Sequence, residues 1–230
     1  DTGFAPEWTL DLPEGWTAGP PQWPVAKRYV AEGDILDHIY EERLTILIPL
    51  RIPASASPGE FPVTARANWL VCMDACVPED AEVHAIVRVD RREDQAETHR
   101  ELFARGRAAM PRPAGELPDG LKWRSLGHEL SARVPGASAI EFHPDAEGPE
   151  LAGLSRSGRA EGSEITLTLA DARPGWIPPE RHLRGTLVVE REEIGADGAR
   201  RIVRSGYRLG VPELAGPGGE HAEAPEGREE

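Results

Sequence analysis

The feature that most limits what this chain can fold into is an apolar–polar alternation with a period of two. It recurs along the sequence between turn residues. "LTILIPL" sets Leu44, Ile46, Ile48 and Leu50 on one face of a strand. "FPVTARANWLV" does the same with Val63, Ala65, Ala67, Trp69 and Val71 against Thr64, Arg66 and Asn68. "AEVHAIVRV" follows with Val83, Ala85, Val87 and Val89, leaving His84, Ile86 and Arg88 on the other face. Further on come "GHELSARV", "AIEF", "SEITLTL", "GTLVVERE" and "RRIVRSGYRL". In "SEITLTL", Ile165, Leu167 and Leu169 alternate with Glu164, Thr166 and Thr168, and Asp197-Gly198 is a hairpin signal. Such runs without crossover helices between them predict antiparallel sandwiches rather than a parallel sheet. The composition agrees, with 24 Gly and 22 Pro but only 6% aromatic residues, as in short strands joined by many turns.

One stretch breaks the period. In "DQAETHRELFARGRAAMPRP", Asp94 and Glu97 read as a capping box, and Leu102, Phe103, Gly106 and Met110 fall near one helical face. Pro111 and Pro113 end the helix. The expected organisation is therefore all-β: a first sandwich over 1–92, a connector helix over 93–113, a second sandwich over 114–212 and an acidic disordered tail over 213–230. The first run, "LPEGWTAGPPQWP", is turn-rich and carries Trp16 and Trp23.

Charge narrows the partners. The chain has 26 basic and 40 acidic residues, a net charge of −14, so it is poorly suited to bind nucleic acid or an anionic membrane surface. No apolar stretch approaches the roughly 20 residues that span a bilayer. The chain opens on Asp1, as expected of a processed product or a fragment of a longer protein. No Ser-His-Asp arrangement, phosphate loop or paired-carboxylate motif is present, and no cofactor is expected.

The only two cysteines, Cys72 and Cys76, lie four positions apart in "NWLVCMDACVPED". A disulfide needs Cα atoms about 4.4–6.8 Å apart. Four extended residues cover roughly 13 Å, so a bond requires a sharp turn through Met73-Asp74-Ala75. Spacing alone leaves a staple, a redox couple, a metal clip and two inert thiols open. A staple closing about five residues removes only about 2 kcal/mol of unfolded-state entropy. Two soft sulfurs suit Cu(I), with His84 as a candidate third ligand. For redox work, Asp74, Glu79 and Asp80 disfavour a thiolate. That suits a disulfide attacked by another protein's thiolate.

The segments "LPEGWTAGPPQWPVAKRY", "LTILIPLRIP" and "ANWLVCMDACVPEDAEV" resemble, in order and spacing, the extracytoplasmic N-terminal region of the DsbD family of protein-disulfide reductases. The ScsB-like branch has the form W-L-x-C-x3-C-x-P, which Trp69, Leu70, Cys72, Cys76 and Pro78 match. "SAIEFHPDAEG", "GTLVVE" and "GYRL" extend the similarity through the second half. The resemblance implies immunoglobulin-like sandwiches outside the cytoplasmic membrane, the first of them N-terminally incomplete here. It implies electron relay by thiol–disulfide exchange from the membrane-embedded and thioredoxin-like parts of the same reductase. The recipients it implies are oxidised periplasmic thiol proteins, including those of disulfide correction and cytochrome c maturation. It also implies that Cys76 forms the mixed disulfide and Cys72 resolves it.

Overall fold

The computed structural model describes residues 6–72, 75–90, 99–126, 128–145, 150–170 and 183–210. The chain is all-β, with two short α-helices among the described residues, and it divides into two units, Asp1–Met110 and Pro111–Glu230. Among the described residues no helix is long and apolar enough to cross a membrane.

In the first unit the strands are β1 (Glu7–Asp11), β2 (Thr17–Ala18), β3 (Lys27–Ala31), β4 (Ile35–Ile39), β5 (Leu50–Arg51), β6 (Gly59–Cys72) and β7 (Cys76–Val89), followed by helix α1 (Arg100–Ala108). Strands β1, β6 and β7 form an antiparallel sheet in that order; β2–β5 and β3–β4 are two-stranded ribbons. The register of β6 on β7 places Val63 opposite Ala85, Ala65 opposite Val83 and Ala67 opposite Ala81. Trp8 and Leu10 of β1 join the same face opposite Ala67 and Ala65. A slip of one residue would turn every one of these side chains outward, so the alternation fixes the pairing.

Aromatic rings supply much of the cover for this sheet. Trp16, buried, lies 5.2 Å from Phe61, and Trp8, Trp23 and Tyr40 form a chain with centroid separations of 5.2 and 5.9 Å. Cover of this face is incomplete along β7, where Val77 and Val83 are 55 and 60% exposed. Val83 thus occupies the expected face, but that face is open there.

Two sequence expectations need correction. "LTILIPL" is not a continuous strand: only Leu47 bridges, to Gln22, before β5 begins at Leu50. The opposing segment contains Pro20, Pro21 and Pro24, and Pro49 interrupts the run itself. Proline lacks the N–H that a ladder needs. Within helix α1, Leu102 and Phe103, expected on its apolar face, remain exposed. It is Gly106 that is buried, where an added Cβ would come within 3.3 Å of Leu47 and Thr45. The Asp94–Glu97 capping box and the tail over 213–230 lie outside the described residues.

The second unit contains β8 (Arg112–Pro113), β9 (Lys122–Leu126), β10 (Glu129–Arg133), β11 (Ala139–Pro144), β12 (Leu151–Ala152), helix α2 (Leu154–Ser157), β13 (Arg159–Glu161), β14 (Glu164–Leu169), β15 (Gly185–Ile194) and β16 (Arg200–Leu209). A four-stranded sheet, β12-β14-β10-β9, faces a five-stranded one, β13-β11-β15-β16-β8, whose β16–β8 pair is parallel. Leu130, Ala132, Ile165 and Leu167 meet Ile140, Phe142, Leu187 and Tyr207 in the core between them. The Asp197-Gly198 signal is met by the β15–β16 hairpin, in which Gly198 has φ 74° and the Ala199 carbonyl accepts from Gly195 N–H at 2.9 Å.

Gly185 starts β15 because nothing larger fits. A Cβ there would lie 2.4 Å from the His143 carbonyl oxygen and 2.7 Å from the Phe142 ring. Phe142 is fully buried. Phe142→Ala is expected to cost about 3–5 kcal/mol of second-unit stability. Denaturant unfolding followed by far-ultraviolet circular dichroism checks it, and a loss below about 1 kcal/mol would place the core elsewhere.

Candidate functional site

The site is the tip of the β6–β7 hairpin. Cys72 ends β6, Cys76 begins β7, the two are register partners, and their sulfurs are bonded with Cα atoms 4.0 Å apart. The turn required by the spacing is therefore made. Both cysteines are exposed.

The close Cα approach marks a non-hydrogen-bonded pair of an antiparallel ladder, where side chains come nearest. Pro78, opposite Leu70, and Pro62, opposite Ile86, have the same parity. At such positions the backbone nitrogen faces away from the paired strand, so both prolines fit inside long strands without costing a β6–β7 hydrogen bond. The sequence places Cys-x-x-x-Cys and Pro78 in one register, and the hairpin uses both.

The same parity assigns the disulfide to the polar face. Below it the cross-strand pairs are Asn68–Asp80, Arg66–Glu82 and Thr64–His84. Arg66 forms a salt bridge with Glu82, His84 Nε2 lies 3.0 Å from the second Glu82 oxygen, and Thr64 Oγ1 is 3.0 Å from His84 Nδ1. At the far end Arg88 donates to Glu60 at 2.8 Å. These pairs are exposed and each contributes at most about 1 kcal/mol. Their larger role is to pin the register that brings the sulfurs together. Trp69, opposite Glu79 on the other face, is half-buried and does not share the face of the disulfide.

His84 does not join the sulfurs. Eight residues of straight strand separate it from Cys76, about 26 Å, and both of its ring nitrogens have partners within the ladder. Among the described residues no group of three or more His, Cys, Asp or Glu side chains is placed to hold a metal ion. The candidate His84 ligand of the copper reading is thereby removed.

Reducing the bond opens a loop of only about five residues, so the loss of stability is expected to be about 2 kcal/mol or less. Urea unfolding of the oxidised and reduced chains measures it. A loss above about 4 kcal/mol would make the bond a staple of the fold.

A second polar cluster lies on the five-stranded sheet of the second unit. Glu141, 6% exposed, accepts from Arg204 at 2.7 Å, lies 3.2 Å from His143 Nε2, and pairs with Arg159. Arg159 also contacts Glu190 at 3.2 Å and Glu161 at 3.1 Å. Next to it Arg208 makes two bonds to Asp145, at 3.0 and 2.8 Å. Burial would raise the Glu141 pKa, but the bonds from His143, Arg204 and Arg159 outweigh it and lower the pKa to about 2. Its hydrogen bond to Glu190, foremost, raises the Arg159 pKa. The sequence offered only one signal for this cluster, the i, i+2, i+4 spacing of Glu141, His143 and Asp145 in "SAIEFHPDAEG".

Comparison with known proteins points to the first unit. Residues 3–88 match the family described as thiol:disulfide interchange protein DsbD, N-terminal. The chain is similar to the crystal structure of the N-terminal periplasmic domain of ScsB from Proteus mirabilis, with 15% identity, coverage of 91% of this chain and 80% of that chain, and a TM-score of 0.45. No curated protein matches it. The segment that matches the DsbD N-terminal family, residues 3–88, holds Cys72, Cys76 and nearly all of the hairpin that presents them.

Proposed function

We propose that Cys72 and Cys76 are a redox couple through which this region takes up and passes on electrons by thiol–disulfide exchange. The observation that carries the reading is a solvent-exposed disulfide at a hairpin tip, inside the segment that matches the family. Exposure permits attack, and the short loop means that opening the bond leaves most of the fold standing. In this reading Cys76 takes the mixed disulfide and Cys72 resolves it. Electrons come from the membrane-embedded and thioredoxin-like parts of a DsbD-like reductase outside the cytoplasm. They go to oxidised periplasmic thiol proteins, including those of disulfide correction and cytochrome c maturation. The region would be tethered to the inner membrane as part of that longer protein, with its two units as immunoglobulin-like sandwiches.

The test is to mix the oxidised chain with a reduced thioredoxin-like protein dithiol, quench with an alkylating agent and weigh the product. Two alkylated cysteines on this chain and loss of two thiols on the donor are expected. A chain that stays oxidised in excess donor overturns the reading.

A further inference from the structure

The exchange proposed at Cys76 fixes the side from which a partner approaches, and a docking surface on that side depends on the exchange itself. A thiolate displaces one sulfur from another in line with the bond being broken. The Cys72–Cys76 bond crosses from β6 to β7. In-line attack on Cys76 therefore comes from the outer side of β7, away from β6.

Among the described residues that side is an open sheet edge. β7 is the last strand in the order β1-β6-β7, and most of its residues are exposed. Because Cys76 and Pro78 sit at non-hydrogen-bonded positions, alternation turns the backbone N–H and C=O of Cys76, Asp80 and Glu82 toward this edge. Pro78 offers only its carbonyl. Charge adds a direction. Glu79 and Asp80 have no cationic partner among the described residues, whereas Glu82 is held by Arg66 and His84.

We infer that the outer edge of β7 receives the segment around the partner's cysteine as an added strand, with a basic residue four positions from that cysteine. Pairing the cysteine opposite Cys76 sets the residue four positions away opposite Asp80, since facing strands advance together. The partner thiolate bonds to Cys76 Sγ, the bond to Cys72 breaks, and Cys72 leaves as a thiolate that takes a proton from water. The partner's second thiolate then attacks its own mixed-disulfide sulfur and releases Cys76. The partner dithiol ends as a disulfide, and the Cys72–Cys76 pair has gained two electrons and two protons.

The experiment measures mixed-disulfide formation on the full oxidised chain with single-cysteine peptides of about ten residues. One set carries Lys four positions from Cys, in either chain direction, and a matched set carries Glu. A third repeats the Lys peptides with alternate backbone nitrogens methylated. Glutathione is the size control. At low salt the Lys peptide of one direction is expected to react about 3- to 5-fold faster than its Glu counterpart, the advantage of one exposed ion pair. Methylation on the edge-facing nitrogens should remove at least about 5-fold. Asp80→Asn should bring the Lys and Glu rates together when each is divided by the glutathione rate of the same variant. Equal rates for all peptides, with exchange intact, overturn the docking edge alone. No exchange with any thiol overturns both it and the proposed function.

Discussion

Cys72→Ser is expected to trap a mixed disulfide with an oxidised partner protein far more than Cys76→Ser does. The paired result follows from the proposed roles, in which Cys76 takes the mixed disulfide and Cys72 resolves it. With serine at position 72, the Cys76 thiolate attacks the partner's disulfide, and no neighbouring thiol remains to resolve the product. With serine at position 76, the remaining sulfur sits at the end of β6, the central strand of its sheet. In both variants two-electron transfer is abolished, because a single thiol cannot close a disulfide within the chain. Non-reducing electrophoresis and intact mass of the adduct measure it. Trapping at least about tenfold greater with Cys72→Ser is expected, and equal trapping would contradict the assignment of the attacked sulfur.

The largest expected effect on stability lies away from the disulfide. Glu141→Gln should destabilise the second unit by on the order of 2–4 kcal/mol, because it strips a buried anion from between Arg159 and Arg204. Glu141 also makes this unit acid-sensitive. Burial alone would raise its pKa; the bonds from His143, Arg204 and Arg159 pull it from the usual 4.5 to about 2 in the folded chain. A carboxylate whose folded pKa is depressed adds stability that is fully present above the unfolded pKa. That stability is lost as pH falls through the folded one. The window is therefore about 4.5 down to 2, and the loss across it is on the order of 3 kcal/mol. Unfolding midpoints at pH 7 and pH 2.5 measure it. The wild type should lose more on acidification than Glu141→Gln does, and equal losses would remove Glu141 as the titrating group.

Much of this was legible from local pattern. The alternation in 61–71 and 83–89 put Val63, Ala65 and Ala67 on the face that the register of β6 and β7 confirms. The cysteine spacing required a turn, and the hairpin supplies one. "SEITLTL" became β14 with Ile165 and Leu167 in the core. What escaped were features decided by long-range partners. "LTILIPL" has strand composition, yet its neighbour's prolines leave one bridge. The β3–β4 ribbon is turned by Gly33 and Asp34, both at positive φ, between two five-residue strands too short to show a clear period. Glu141 is an ordinary strand residue in sequence. Only the arrival of Arg159 and Arg204 from other strands makes it a buried ion-pair centre.

A redox titration addresses the Cys72–Cys76 couple most directly. The chain is equilibrated in thiol–disulfide buffers of graded potential, its free thiols are alkylated, and the reduced fraction is read by mass. A couple that relays electrons should be half reduced between about −180 and −270 mV, the range of exchange catalysts. A pair still oxidised below about −300 mV would be a structural bridge, and the relay would be refuted.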